Sequence, residues 1–348
     1  MRRALWVIPV AEVAGVARHV LDATRAGIPG WAITVAAPDG PLLHALQADG
    51  HDTRSLPVST ATETVPAVRA LRSLLRTERP DVAHSHLARA DILLAMASVG
   101  TGVPLVSTEH GIAADPLLYN PNRTVATVKR LAHRARCTRF SSIIAVSEST
   151  RDQVLHQWHP RCPVTVIHNG IDRVPASRSA SGARRFLTLS RLAPEKNLPA
   201  VLEAFSAARA ELPDATLTVA GTGSQLNLLL ETAAAIGLSD SVKFPGHVDA
   251  ADALAHHDVL VQLSAWENCS YALLDALNAG LGVVATPVGG NPEILPPFCL
   301  TPPAPGDRVA EAMIRQATED NRPALPPLWP SVADMTAGIA RVYEKVTT

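Results

Sequence analysis

Short apolar runs alternate with longer stretches of helical periodicity along this chain, and the alternation starts twice. The first series has runs at ALWVIPV (4–10), WAITVAAP (31–38), DVAHSH (81–86), PLVSTEH (104–110), SIIAVS (142–147) and VTVIHN (164–169). The second has RFLTLS (185–190), TLTVAG (216–221), VKFPG (242–246), DVLVQLS (258–264) and LGVVAT (281–286). Helix-like segments fall at 14–26, 63–78, 89–98, 120–138 and 149–156, then at 197–211, 223–236, 250–257, 270–280 and 307–318. Short apolar runs separated by helices read as parallel strands covered on both faces, so the expected fold class is α/β, built from βαβ units. A length of 348 residues exceeds what one core usually serves. The aperiodic stretch DRVPASRSASGAR (172–184) lies between the two series and reads as a flexible connection. The expected domains are 1–170 and 185–330, with a linker over 171–184. A Pro-dense region (296–330) interrupts the second domain, and a helix-like segment follows at 331–346. Ligands of such sheets sit beyond the carboxyl ends of the strands, and two such domains make the cleft between them the natural active site.

Hydrophobic residues make up 47% and charged residues 18% of the chain, the composition of a well-buried globular protein. Mean hydropathy is +0.12, and no apolar run reaches the length of a membrane span. The opening MRRALWVIPVA has the order of a signal peptide, but Glu12 interrupts it and a first buried strand is the better reading. Cys137, Cys162, Cys269 and Cys299 form no CxxC pair and read as buried thiols in a reducing cytoplasm. The net charge of −1 hides an asymmetry: residues 1–170 carry 18 Lys+Arg against 13 Asp+Glu, net +5, and the remainder is −6. No strongly basic domain with interleaved aromatics is present, which disfavours nucleic acid as a partner.

Chemistry concentrates after the strands. SRLAPEKNL (190–198) puts Arg191 and Lys196 on a strand-to-helix connection, where two cations can converge on a diphosphate. Isolated loop charges are more often merely solvated. AGTGSQ (220–225) offers Gly221 and Gly223 for close backbone approach, yet lacks the third glycine and the acidic residue of a dinucleotide fingerprint. A plain tight turn is an equal reading there. The block SAWENCSYALLDALNAGLGVVATPVGGNPEIL (264–295) carries Glu267 on a loop, Ser270 at a helix start and Asp275 inside that helix. Amides at the helix start can meet a phosphate, and two carboxylates can grip hydroxyls on either side of it. A capping acid and a solvated helix residue are the plain alternatives. In the first half, Gly15 follows the first strand. His84, His86 and His110 end two neighbouring strands, with His110 placed to face the cleft. HSH has the look of a metal pair, but no third ligand arrives at matching spacing, so no metal is expected. No D-x-D triplet, G-x-S-x-G elbow or Walker loop occurs. Arg123, Lys129, Arg130, Arg134, Arg136 and Arg139 gather in one helix-like segment. A solvated basic face is the plain reading, and contact with anionic lipid or a phosphorylated acceptor is the sharper one.

The motifs GVARHVL, STEHGI, AVSESTRD, VIHNGID, SRLAPEKN, VAGTGS and ENCSYALLDALNAGLGVVATPVGGNPE occur in this order over roughly 1–295. As a set, the chain resembles family 4 of the retaining glycosyltransferases. The resemblance implies a GT-B fold of two facing Rossmann-like, doubly wound parallel-sheet domains with an interdomain cleft, and a last helix (331–348) packed back on the first domain. Glu267 and Asp275 match the family's E-x7-E element, which implies that Glu267 holds donor-sugar hydroxyls and Asp275 the nucleotide ribose. Arg191 and Lys196 would bind the donor diphosphate, Gly15 would approach the same phosphates, and His110 would face the reacting sugar. Gly221, Gly223, Val248, Asn268, Cys269 and Ser270 complete the expected donor-binding set. Two departures stand out: the second acid is Asp275, one methylene short, and Asn268-Cys269-Ser270 replaces the usual EGFG-like loop.

The expected function is transfer of a sugar from a nucleoside-diphosphate sugar, UDP favoured over GDP, to an acceptor hydroxyl on a glycan, lipid or small molecule. Transfer would retain configuration by front-face attack, need no cofactor, and take place in the cytoplasm, in part at the inner membrane face. The rivals are a nucleotide-sugar epimerase of the same fold and a non-catalytic nucleotide-sugar-binding subunit.

Overall fold

The computed structural model describes residues 1–59, 63–112, 122–174, 184–302 and 306–348. Most of the expected linker, 175–183, and the start of the basic segment, 120–121, lie outside the described residues. The chain divides into two compact units, one of residues 1–172 and 330–348 and the other of residues 173–329.

The first unit runs β1 (Arg2–Val7), α1 (Gly15–Ala26), β2 (Trp31–Ala37), α2 (Pro41–Ala48), β3 (Asp52–Ser55), α3 (Thr64–Glu78), β4 (Val82–His86), α4 (Leu87–Ala97), β5 (Leu105–Glu109), α5 (Arg123–Cys137), β6 (Ser142–Ala145), α6 (Glu148–Trp158) and β7 (Val164–Val166). Its seven strands lie in the order β3-β2-β1-β4-β5-β6-β7, every neighbouring pair parallel. This order reverses direction between β1 and β4, the hallmark of a doubly wound sheet. The strand period of two explains both cores. Ala4 and Trp6 pack with α1 and α2 on one face, while Leu5 and Val7 pack with α3 and α4 on the other.

The second unit runs β8 (Arg185–Leu189), α7 (Leu198–Ala208), β9 (Thr216–Ala220), α8 (Leu226–Ala235), β10 (Val242–Gly246), α9 (Ala250–Ala255), β11 (Val259–Gln262), α10 (Tyr271–Asn278), β12 (Gly282–Ala285), α11 (Asn291–Ile294) and α12 (Gly306–Thr318). Its sheet order is β10-β9-β8-β11-β12, again all parallel, with the switch point between β8 and β11. Phe186, Leu217, Val259 and Val261 meet Val201, Leu202, Phe205 and Met313 in one core.

The last helix, α13 (Val332–Thr347), returns to the first unit and packs on α1. Ser331 and Asp334 form a capping box at its start, satisfying amides that the first turn leaves bare. Tyr343 enters the core beside Trp31, and its hydroxyl accepts from Trp6 Nε1 at 2.7 Å. Among the described residues no helix is long and apolar enough to cross a membrane.

Candidate functional site

In the second unit the loops after β8, β9, β11 and β12 are packed backbone to backbone. Gly221 sits at φ +136°, where a Cβ would lie 1.9 Å from the Ser190 carbonyl oxygen; a Cβ on Gly223 would lie 2.3 Å from that of Leu192. Leu192 N donates to Thr222 O (2.8 Å) and Gln225 N to Leu192 O (3.1 Å), closing the β8 loop over the β9 loop. Ala265 N donates to Glu195 O at 2.8 Å, joining the β8 and β11 loops. Gly289, at φ +55°, lies so close to the loop before α10 that a Cβ would come within 1.6 Å of Glu267 O. Thr286 Oγ1 donates to Ser264 O (2.6 Å), and Asn291 Nδ2 to Thr286 O (2.9 Å).

This scaffold brings Lys196 and Glu267 together. Lys196 ends the 3-10 turn Pro194–Lys196 after β8, and Glu267 follows β11, so the pair straddles the switch point of the sheet. Lys196 Nζ pairs with Glu267 Oε1, and Ser264 Oγ donates to the same oxygen at 2.8 Å. The side chains are 17% and 12% exposed, so the pair is largely desolvated but open on one side. Both recorded contacts fall on Oε1, which leaves Oε2 for an incoming donor. Arg191 is different: its guanidinium is 66% exposed and held by Glu195 at 2.7 Å, on the same loop.

The remaining expected residues distribute around this pair. Asn268 and Cys269 are buried in the loop before α10. Ser270 caps α10, its hydroxyl accepting from Leu273 N and from Gln262 Nε2 at 2.9 Å. Asp275 lies one turn inside α10, half-buried, and Val248 is half-buried on the connection between β10 and α9. The sequence pattern does not mark Ser264, Glu195, Gly289 or Asn291. Their roles arise from loop-on-loop contacts that only the folded sheet creates.

In the first unit Gly15 opens α1, with empty space where a Cβ would stand. One turn further along α1 is His19. The HSH segment divides: α1 delivers His19 to His86 and His110, while His84 is bonded elsewhere. His19, buried, reaches Asn169 Oδ1 through Nδ1 at 3.1 Å. His86 Nδ1 lies 2.8 Å from His110 Nε2, the two rings stacked at 5.1 Å between centroids. Leu87, next in the chain, holds φ +71°, a conformation a bulky residue keeps only where its surroundings dictate it. His84 is bonded differently: Nδ1 to the Tyr343 hydroxyl at 2.5 Å and Nε2 to Thr108 Oγ1 at 2.8 Å. Burial holds His84, His86 and His110 well below the usual histidine value and His19 at about 4, so these imidazoles are neutral.

The basic segment is also redrawn. Arg136 does not belong to a solvated face: it is buried, paired with Asp91 and with Glu109 at 2.6 Å, and set over the Trp158 ring at 4.6 Å. Ser85 and Ser107 donate to Asp91, completing a polar network between β4, β5 and α5. The four cysteines are free, and burial raises the thiols of Cys137, Cys162 and Cys299.

Two doubly wound parallel sheets with a polar cluster at the switch point define a GT-B protein. Solved structures agree over the whole chain. Anabaena HepE in complex with UDP-glucose superposes with a TM-score of 0.79 at 20% identity, covering 99% of this chain and 98% of that one. Sucrose-phosphate synthase from Thermosynechococcus elongatus gives 0.74 at 16% identity, covering 100% and 95%. Two family models match in succession, Glycosyltransferase Family 4 over residues 13–174 and Glycosyl transferases group 1 over residues 183–319. The chain belongs to the family-4-type glycosyltransferases. Among curated relatives, glycogen synthase of Mycobacterium tuberculosis is 31% identical over 233 residues, which is 63% of this chain and 55% of that protein. N-acetyl-alpha-D-glucosaminyl L-malate synthase of Bacillus anthracis is 25% identical over 245 residues, 65% of this chain and 61% of that one. The matched region thus spans little more than half of these relatives.

Proposed function

We propose that this protein transfers a hexosyl group from a nucleoside-diphosphate sugar to an acceptor hydroxyl, with retention of anomeric configuration and without a catalytic metal. The observation that carries the reading is the Lys196–Glu267 pair at the switch point of the second sheet. Lys196 has three N–H donors and spends one on Glu267, so the others can meet a diphosphate oxygen. Glu267 keeps Oε2 for a sugar hydroxyl. Arg191, exposed and hinged on Glu195, swings to the same phosphates. Asp275 holds the ribose, Gly221 and Gly223 keep the backbone close to the nucleotide, and Val248, Asn268, Cys269 and Ser270 line its surroundings. The bond from the anomeric carbon to the diphosphate oxygen breaks as the acceptor oxygen bonds on the same face. The acceptor proton passes to a leaving phosphate oxygen. Arg191 and Lys196 stabilise the charge that develops there, the electrostatic contribution that is usually largest in catalysis.

A UDP-sugar is the favoured donor, supported by the UDP-glucose bound in the HepE structure, and a GDP-sugar comes second. The first unit, net +5 over residues 1–170, takes the acceptor. The protein works in the cytoplasm and touches anionic membrane through α5, where Val128 and Leu131 are 61% and 55% exposed beside Lys129 and Arg130. Thermal shift with UDP-, GDP-, ADP- and dTDP-sugars tests the donor. A ligand at 100 times its Kd adds about 2.7 kcal/mol to stability, and no response to any of the four overturns the reading. Glu267→Ala should cut turnover at least a hundredfold, the scale of one lost catalytic hydrogen-bonding group, with UDP affinity nearly unchanged. Asp275→Ala should weaken UDP itself. Unchanged turnover in folded Glu267→Ala removes Glu267 from the site.

A further inference from the structure

Among the described residues, one group of side chains has the geometry of a metal centre: His19, His86 and His110, each offering a ring nitrogen within 4.8 Å of the others. Three separate elements supply them, α1, the end of β4 and the residue after β5. Two further observations point inward. Nε2 of His19 and Nε2 of His86 are both buried and have no hydrogen-bond partner. A buried polar atom left unpaired is costly, so two of them in one cluster call for an occupant. The outer contact of His19 fits the same purpose: Nδ1–H donates to Asn169 Oδ1, which fixes the tautomer and turns the Nε2 lone pair into the cluster.

We propose that His19, His86 and His110 bind one zinc-type divalent cation at the carboxyl edge of the first sheet. Imidazole-only coordination suits zinc, copper, nickel or cobalt and suits magnesium poorly. The nearest carboxylate in sequence, Glu109, is turned away into the Ser107–Arg136 network. A tetrahedral site with Zn–N bonds of about 2.0–2.1 Å holds its nitrogens about 3.4 Å apart. The three rings already lie together, with centroids 4.8–5.6 Å apart: His86 stacks on His110, His19 meets His110 edge to face, and His19 is tilted against His86. Three protein ligands leave the fourth position for water or a bound molecule. His84, tied to Tyr343 and Thr108 through both nitrogens, stays outside the shell. Bound metal would pin α1 to the ends of β4 and β5.

The test uses the full chain, stripped with chelator and free of nucleotide sugar, so its outcome is independent of the proposed transfer reaction. Zinc binding is read by calorimetric titration and by the rise in Tm, and cobalt binding by its visible spectrum. One metal per chain is expected. His86→Ala and His19→Gln should each lower zinc affinity at least tenfold, whereas His44→Ala, an exposed histidine bonded to Asp39, should leave it unchanged. Circular dichroism without metal establishes that each variant is folded, and His19→Gln carries the test if His86→Ala is not. Absence of one-to-one zinc binding in the wild-type chain overturns the proposal. So does affinity kept within twofold in folded His19→Gln, or binding abolished by thiol alkylation alone.

Discussion

Gly289 shows how a single residue sets the loops at the carboxyl edge of the second sheet. Its φ of +55° is strained for any L side chain, and an added Cβ would collide with a backbone carbonyl, which cannot rotate away as a side chain does. Gly237 makes the clean comparison, with φ +73° and nothing within 4 Å. Gly237→Ala should cost about 1 kcal/mol from backbone strain alone, and Gly289→Ala at least about 2 kcal/mol more because a loop must move. Denaturant unfolding of the two variants checks this, and equal losses would remove the close approach as a cause. The sequence singled out Lys196 and Glu267 because each lies in the loop after an apolar run. Gly289 and Ser264 were not singled out, since nothing local distinguishes them from ordinary turn residues. His19 was hidden for a related reason: it lies far from His86 and His110 along the chain, and only the pairing of β1 with β4 brings its helix to them.

At the scale of elements, α5 divides into a buried end and an exposed part. Its last turn is structural, with Arg136 in the buried network and His133 stacked flat on Trp158 at 4.5 Å. His133 accepts from Arg136 Nε at 2.8 Å, and burial, aided by Lys129, lowers its pKa to about 4. The folded chain therefore binds fewer protons than the unfolded chain between pH 6.5 and about 4, and stability falls as pH falls through that window. His133→Gln, which keeps an acceptor for Arg136 but cannot charge, should reduce the loss between pH 7 and 4.5 by on the order of 1–3 kcal/mol. Parallel pH profiles would contradict it. The exposed part of α5 is the proposed lipid contact. Arg134 donates to Gln157 O and is best left alone, so Arg123, Lys129 and Arg130 become Gln together. At about 1 kcal/mol per cation near an anionic surface, binding to phosphatidylserine vesicles at low salt should drop at least tenfold, with UDP binding intact. Binding unchanged at low ionic strength would make this helix an ordinary solvated face. Three elements escaped the sequence pattern altogether: β3, α2 and the four-residue α11. β3 (DTRS) is a polar edge strand paired only with β2, so it has no apolar run. α2 has just eight residues, and its buried Leu42, Leu43 and Leu46 are too few to establish a helical period.

For the whole molecule, the repeated alternation was enough to reveal two parallel sheets, because every βαβ unit writes the same pattern. Strand order was not written there; it depends on which way each crossover turns, and the chain reverses once in each sheet. The proposed transfer uses no catalytic ion, so EDTA should lower turnover by no more than about twofold whether or not the three-histidine site is loaded, far less than the several kcal/mol a catalytic metal supplies. Loss of activity restored by Mg²⁺ or Mn²⁺ would reverse that conclusion. The route of the chain has another effect. The first sheet is synthesised before the second unit, yet the Tyr343 that completes its wall against Trp6 and Trp31 follows that entire unit. On a ribosome the second unit can finish its own core while the first still waits for α13. The earlier of the two units is thus the later to mature, and a chain interrupted shortly before residue 332 would carry one finished unit and an open, apolar flank on the other.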